Sequence, residues 1–434
     1  MIFEQHLYSS RKIVVGWNTL AQFLGKVVSA GVMFLISLII ARKFGVNGFG
    51  DFTKITTYIA FFYLLVDFGL NAIFLQKEQT SSGNWSHLLI LRIIGSLVII
   101  FLSLLFLFLL PQGTSQGFTP FVKLGIILYS PTILFQALIT TANALFQKHL
   151  RYDLSSLALI TGDIISLILI TLAAYLVSSG SGAVAVATAL MLGSAATGII
   201  SLGLVSRLSE SQKLSLTLKS AKELLIAGLP LGVMLVFNQV YFRFDSLVLA
   251  LTRSTAEVGV YGLAYKVFEM PLVIPTFFMN AMYPMMLKTK NYEALNSNRE
   301  LKHLIKHAFI FLLIASGFLL FIFWLAAPLL TLIRPAFSES IPALRVLVLS
   351  LPLFFTTSLL MWIIVTLEEQ KILPLIYGIS MLFIIIADII FIPKYGYISA
   401  AWITVVAEGF VLLLLSLSTL WLFKIRKLTK IRKL

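Results

Sequence analysis

Nine ionisable side chains stand inside long apolar runs of this 434-residue chain: Lys26, Asp67, Asp163, Arg243, Asp245, Lys266, Glu269, Asp388 and Glu408. A charge near the centre of a bilayer costs about 2.5–3.5 kcal/mol, so nine facing lipid would cost on the order of 25 kcal/mol. They must face a bundle interior or water. At 1.5 Å per residue from the ends of their runs, Lys26, Asp67, Glu269 and Glu408 fall near mid-depth. Helical spacing gathers polar groups onto single faces. Asn18, Gln22, Lys26 and Ser29 form one stripe; Tyr63, Asp67 and Asn71 form another. Lys266 shares a face with Glu269, and Thr404 with Glu408. In VYFRFDSLVLAL (240–251), Arg243 and Asp245 are two residues apart and point to nearly opposite sides, so each needs a different partner.

Two kinds of chemistry fit this set. Fixed cations in a water-accessible cleft suit a dense anion such as a lipid pyrophosphate. Lys26, Arg243 and Lys266 are the candidates, and a guanidinium offers phosphate a planar two-pronged contact. Lys26 lies too deep for its stem to reach the surface easily. Three cations against six carboxylates leave a balance of −3. The surplus must be protonated or hold a cation, as ion-coupled transport requires. Asp67, Glu269 and Glu408 are the candidates for Na+ or H+ coupling. Asp245, Asp163 and Asp388 are read as structural, through helix packing, snorkelling or capping. A buried ion pair accounts equally well for Lys266 and Glu269, and snorkelling to the outer surface is the alternative for Arg243.

Other chemistries lack their residues. With no cysteine there is no disulfide, thiol chemistry or thiolate metal site. No phosphate-cradling GxxxxGK[ST] loop, no HExxH and no cluster of metal ligands occurs, so neither a built-in ATPase nor a resident cofactor or metal is expected. No outer loop is long enough for a membrane glycosyltransferase. The expectation is a protein that is not an enzyme.

The elements that position these residues follow from hydropathy. The chain is 59% hydrophobic and 12% charged, with a mean hydropathy of +0.98. Apolar runs of bilayer-spanning length recur throughout. The fold class is an all-α polytopic membrane protein, with twelve spans near 13–41, 52–76, 86–110, 119–146, 153–178, 182–206, 222–251, 256–288, 303–326, 341–367, 372–392 and 397–423. Connections are short and rich in Gly, Pro and Ser. MIFEQHLYSSRKIVVGW lacks the short apolar core and cleavage site of a signal peptide, so no cleaved leader is expected. Counting Arg92 as part of a connection, 22 Lys and Arg fall on the side of the N-terminus and 8 on the other, which places both termini in the cytoplasm. The net charge of +15 thus reads as topology rather than nucleic-acid binding, with the tail KIRKLTKIRKL resting on anionic lipid.

There is a weak internal repeat. IIARKFGVNGFGDF (39–52) aligns with VLALTRSTAEVGVY (248–261) at an offset of 209, and GAVAVA (182–187) parallels GYISAA (396–401). Two six-helix units in the same orientation are expected. Their ranges are 1–206 and 222–423, with a connection at 207–221 and a basic tail at 424–434. Ser220 and Glu223 have capping-box spacing at the second start. Pro271, Pro275 and Pro284 are expected to bend the eighth span, and Gly228 and Gly232 form a GxxxG around Pro230.

These stretches carry a resemblance. WNTLAQFLGKVVSAGVMFLISLIIARKFGVNGFGDFTKITTYIAFFYLLVDFGLNAIF resembles the start of the polysaccharide transporter family, the O-antigen-flippase-like branch of the multidrug/oligosaccharidyl-lipid/polysaccharide (MOP) exporter superfamily. The residues that carry it are Asn18, Arg42, Gly45, Phe49, Gly50, Asp67, Phe68 and Gly69. In the second half they are Tyr241, Arg243, Asp245, Gly259, Tyr261, Ala264 and Tyr265, with IPKYGYISAAWIT resembling the family's penultimate turn. The resemblance implies two six-helix bundles around a central cleft. It also implies flipping of a polyprenyl-diphosphate-linked oligosaccharide to the outer leaflet for cell-surface polysaccharide assembly. Twelve spans fit this branch better than the fourteen of lipid II flippases. The expected partners are the lipid-linked oligosaccharide, membrane lipids and other glycan-assembly proteins, with no nucleic acid. The expected location is the cell membrane. Two other readings remain open here: a cation-coupled multidrug antiporter of the same superfamily, which would bind its substrate through Asp67, Glu269 and Glu408, and a non-transporting membrane component of a glycan-assembly complex.

Overall fold

The computed structural model describes residues 2–76, 85–113, 116–177, 181–208, 217–290 and 297–431, without the side chains of 2–20, 218, 289–290, 297–299 and 425–431. Asn18 and the basic tail beyond Lys424 therefore lie outside the described side chains, and most of the 207–221 connection lies outside the described residues. Among the described residues the chain is helical, with no strand. In the first half the helices are α1 (Ile2–Asp67), α2 (Leu70–Gln76), α3 (Trp85–Leu109), α4 (Pro120–Tyr129), α5 (Thr132–Lys148), α6 (Tyr152–Leu176) and α7 (Gly182–Val205). Then follow α8 (Leu218–Thr252), α9 (Thr255–Glu269), α10 (Val273–Lys290), α11 (Ser297–Ala326), α12 (Ser340–Val348), α13 (Leu351–Thr366), α14 (Leu373–Tyr395) and α15 (Tyr397–Ile431).

Eleven of the described helical stretches are long and apolar enough to cross a membrane. The first, Ala21–Gln76, has 56 residues. Straight, it would measure about 84 Å, nearly three times the ~30 Å hydrocarbon core. It holds two crossings. Gly45, at φ 70° and ψ −165°, turns the chain between them, a conformation closed to a residue with a Cβ. The expected twelve crossings and the all-α membrane fold are therefore present. Several crossings are built in two pieces. Pro131 separates α4 from α5, and Pro271 sits in a 3-10 turn, Met270–Leu272, between α9 and α10. Of the three prolines in the eighth span, Pro271 alone interrupts the helix; Pro284 is accommodated within α10.

The chain forms two compact units, Met1–Gln239 and Val240–Leu434. The first half of α8 belongs to the first unit for a packing reason. Leu224 is buried with Leu70, Ile73 and Phe74, and Gly228 and Gly232 close directly on Phe68. A Cβ on Gly232 would lie 2.5 Å from the Phe68 ring, so the GxxxG is a contact surface for the break between α1 and α2. Helix α8 starts three residues before the expected box. Thr217 Oγ1 accepts from the Ser220 amide at 3.2 Å, so Thr217 is the cap and Ser220 a position inside the first turn.

The internal repeat is visible inside each unit separately. Gly45 aligns with Ser254, the extended N-cap of α9. In the first unit a Cβ on Gly182 would meet the Phe44 ring at 2.4 Å. In the second, a Cβ on Gly396 would meet Arg253 Nη2 at 3.0 Å and Glu257 Oε2 at 2.5 Å. Phe44 and Arg253 are equivalent under the 209-residue offset. Each unit thus closes the turn before its last span onto the same joint, once with a ring and once with a guanidinium.

Candidate functional site

In the first unit the second crossing is broken. Phe68 (φ 43°) and Gly69 (φ 69°) are left-handed, and α1 ends at Asp67. For phenylalanine this backbone costs on the order of 1–3 kcal/mol. The break frees carbonyls, and Arg92 of α3 collects them. Arg92 is 2% exposed. Its Nε donates to the Val66 carbonyl at 3.3 Å, and Nη2 donates to the Asp67 carbonyl at 3.4 Å and to Asp67 Oδ1 at 2.9 Å. Nη1 donates to Asn71 Oδ1 at 2.8 Å and to Thr141 Oγ1 at 3.4 Å.

This corrects two expectations. Arg92 is not part of a cytoplasmic connection, so the side bias falls by one to 21 against 8 and keeps its sign. It is also a fourth cation inside the spans, so four stand against six carboxylates and the balance is −2. The Tyr63, Asp67, Asn71 stripe is likewise cut by the break. Tyr63 donates to Thr132 Oγ1 at 2.6 Å, while Asp67 and Asn71 are reunited by Arg92. Asp67, expected to hold a coupling ion, already has an arginine as its counter-ion. Elsewhere in this unit Lys26 is exposed, and Gly25 closes α1 onto Ser156 of α6. Asp163 of α6 has an Oδ2 that is buried without a hydrogen-bond partner.

In the second unit the remaining candidates converge. Helix α8 carries Arg243 and Asp245 on opposite sides, and the turn at Arg253–Ser254 folds α9 back along it. Arg243 pairs with Glu269 Oε1, and its guanidinium lies 5.3 Å from the centre of the Tyr265 ring. Lys266 Nζ stands 3.7 Å from Glu269 Oε2. Two cations therefore share one carboxylate. All three side chains are about one-third exposed, at 29%, 34% and 28% for Arg243, Lys266 and Glu269. Glu269 is the last residue of α9, where the helix dipole disfavours an anion and favours the neighbouring cations.

The opposite face of α8 is dry. Asp245 accepts from the Tyr261 hydroxyl of α9 and from the Ser246 amide. Asp388 of α14 is 0% exposed, and neither of its carboxylate oxygens has a hydrogen-bond partner. It is well inside α14, which ends at Tyr395, and so neither caps that helix nor reaches its end. A cavity of about 10 Å³, with room for about one water-sized sphere, is lined by Asp245, Asp388, Thr404, Tyr241, Tyr265 and Phe242 among others. Glu408 lies just behind. It is 2% exposed and accepts from Tyr241 at 2.5 Å and from Thr357 of α13. Among the described residues no group of three or more His, Cys, Asp or Glu could hold a metal ion.

Sequence reading thus found the charged residues but not all of their company. Arg92 and the tyrosines 241, 261 and 265 were not singled out as site members, and Asp388 was not joined to Asp245. The i,i+4 spacing of Tyr261 and Tyr265 was the available signal.

Residues 15–290, more than half of the chain, match the family model described as polysaccharide biosynthesis protein. The chain belongs to this family. Among curated proteins none matches by sequence. Of solved structures, this polysaccharide biosynthesis family member is similar to the lipid II flippase MurJ in an inward closed conformation, with 18% identity and a TM-score of 0.73 over 93% of this chain and 87% of that one. It is also similar to an inward-facing multidrug resistance MATE family transporter of the MOP superfamily, with 16% identity and a TM-score of 0.68 over 91% and 96%. A MOP superfamily transporter from Pyrococcus furiosus, described as having a binding pocket of reverse polarity, matches with 15% identity and a TM-score of 0.60 over 94% and 96%. At these identities the likeness establishes the MOP exporter fold and nothing finer.

Proposed function

We propose that this protein is a flippase that moves a polyprenyl-diphosphate-linked oligosaccharide from the cytoplasmic to the outer leaflet of the cell membrane, for surface polysaccharide assembly. The observation that carries this reading is the pair of cations, Arg243 and Lys266, gathered on the single carboxylate of Glu269. The cluster holds an excess of one positive charge and is partly exposed. A diphosphate is the membrane-borne group that needs two adjacent cations, and the family's place in polysaccharide biosynthesis supports a glycan on the other end. The antiporter reading would need exposed, uncompensated carboxylates. Here Asp67 and Glu269 each have an arginine. Lys26, exposed on its stripe, serves as a further phosphate contact in the first unit.

Arg243→Ala should leave membrane abundance unchanged while lipid-linked glycan accumulates in the inner leaflet and export falls at least tenfold. Arg243→Lys should be intermediate, since charge remains and the fork is lost. Export at the wild-type rate by Arg243→Ala would remove this function.

Coupling to Na+ or H+ fits the Asp388 cavity best. A buried carboxylate with two unpartnered oxygens needs a compensating cation, and Glu408 stands one tyrosine away. The 21-to-8 bias supports a cytoplasmic location for both termini. Single cysteines at Ser115 and Ser179, which lie outside the described residues, can be read cleanly because the chain has no cysteine of its own. A membrane-impermeant maleimide should label both from outside intact cells; labelling only after the membrane is opened would reverse the orientation.

A further inference from the structure

Any cation cluster open to a membrane faces a competition problem. Bulk phospholipids carry a phosphodiester with one negative charge and vastly outnumber a lipid-linked glycan. Arg243 and Lys266 alone would be filled by them. We propose that Glu269 is the specificity-determining residue that keeps single-charge phosphodiester lipids out of this site and admits diphosphates. The inference rests on the proposed flippase function and adds to it the means of selection.

The geometry supplies the mechanism. Glu269 offers Oε1 to Arg243 and Oε2 to Lys266, so one carboxylate occupies both cations when no substrate is present. It is an internal anion seated where the substrate's phosphate would sit. A phosphodiester that displaced it would exchange one single charge for another. It would also strand the Glu269 carboxylate, partly buried and at a helix C-terminus, without a partner. Nothing is gained to offset that cost. A diphosphate diester carries two negative charges on adjacent phosphates. It can meet the guanidinium and the ammonium together and match both charges, which outweighs the displaced carboxylate. Selection of this kind works by penalising the wrong ligand rather than by improving contacts to the right one. Tyr265 keeps Arg243 in place throughout, since its ring under the guanidinium and its hydroxyl bond to the Phe242 carbonyl, at 2.8 Å, do not involve Glu269.

The test is equilibrium binding of a radiolabelled polyprenyl-diphosphate-linked sugar to the full chain in nanodiscs, made either of phosphatidylcholine or of phosphatidylglycerol. For the wild type, the apparent Kd should agree within twofold between the two lipids. For Glu269→Gln, binding in phosphatidylcholine should be tighter than wild type, because the internal competitor is gone. In phosphatidylglycerol it should weaken at least tenfold, because there the phosphodiester charge is not neutralised by a choline on the same headgroup and now competes. If Glu269→Gln cannot be purified folded, Glu269→Asp decides. Its shorter side chain cannot bridge both cations, and a loss of at least threefold in phosphatidylglycerol is expected. A variant as insensitive to phosphatidylglycerol as the wild type would overturn the proposal. Wild-type protein that fails to bind the labelled lipid, or binding that survives Arg243→Ala, would instead overturn the flippase reading beneath it.

Discussion

Arg92→Leu should leave little folded protein in the membrane. The arginine is 2% exposed and is the meeting point of five hydrogen bonds from the broken second crossing and from α5. Removing it strands the Val66 and Asp67 carbonyls and leaves the Asp67 carboxylate without its counter-ion. Deleting one member of a fully buried pair costs about 3–5 kcal/mol; the Asp67 side chain is 36% exposed, so its own share is smaller, and the stranded carbonyls make up the rest. Whole proteins are stable by only about 5–15 kcal/mol, so this is a large share. The left-handed Phe68 adds to the effect, because its strain is tolerated only while the surroundings hold it. Membrane abundance and the melting temperature of detergent-purified protein are the measurements. Adding Asp67→Asn should recover part of the loss, since the stranded charge is then removed. Wild-type abundance and melting for Arg92→Leu would show that the cluster carries no stability.

The second large effect is expected at Asp388. This carboxylate is fully buried, without a hydrogen-bond partner, on a cavity that it shares with Asp245. If the coupling cation enters there, ion binding stabilises the fold. At a concentration one hundred times the dissociation constant, that amounts to about 2.7 kcal/mol. Wild-type protein should therefore melt at a higher temperature in Na+, or as the pH falls if the ion is a proton. Asp388→Asn preserves shape and removes the charge. It should be as stable as the wild type without added ion, lose the ion-dependent rise, and flip substrate at a rate indifferent to either gradient. Retention of both responses by Asp388→Asn would place the coupling site elsewhere.

How much of this the sequence disclosed depends on the distance over which each feature acts. Spans follow from local hydropathy, and Lys266 and Glu269 are neighbours by helical spacing alone. Those were legible. Arg243 and Glu269 are 26 residues apart on helices joined by a tight turn, so each was visible as a buried charge but not as a partner. Asp245 and Asp388 belong to helices far apart in the chain, and no periodicity links them. Arg92 was misplaced because it lies only two turns into α3, where hydropathy alone cannot tell a snorkelling arginine from a buried one. The break at Phe68–Gly69 was hidden inside an unbroken apolar run. Hydropathy reports what a segment is surrounded by, not whether its backbone continues as a helix.

The shared joint in the two units, Phe44 against Gly182 and Arg253 against Gly396, bears on how such a chain arises. A half with six crossings leaves the membrane on the side where it entered. A tandem copy of its gene can therefore be read straight on, with no inversion and no extra span to restore polarity. Once two copies exist, selection on the joint constrains its shape but not its chemistry. One copy has an aromatic ring at this joint; the other has an arginine tied to Glu257 and to the Pro393 carbonyl. Descent from a pairing of identical six-span subunits then has a concrete signature. The framework contacts recur at matching positions, while the arginines inside the spans, Arg92 in one copy and Arg243 in the other, do not.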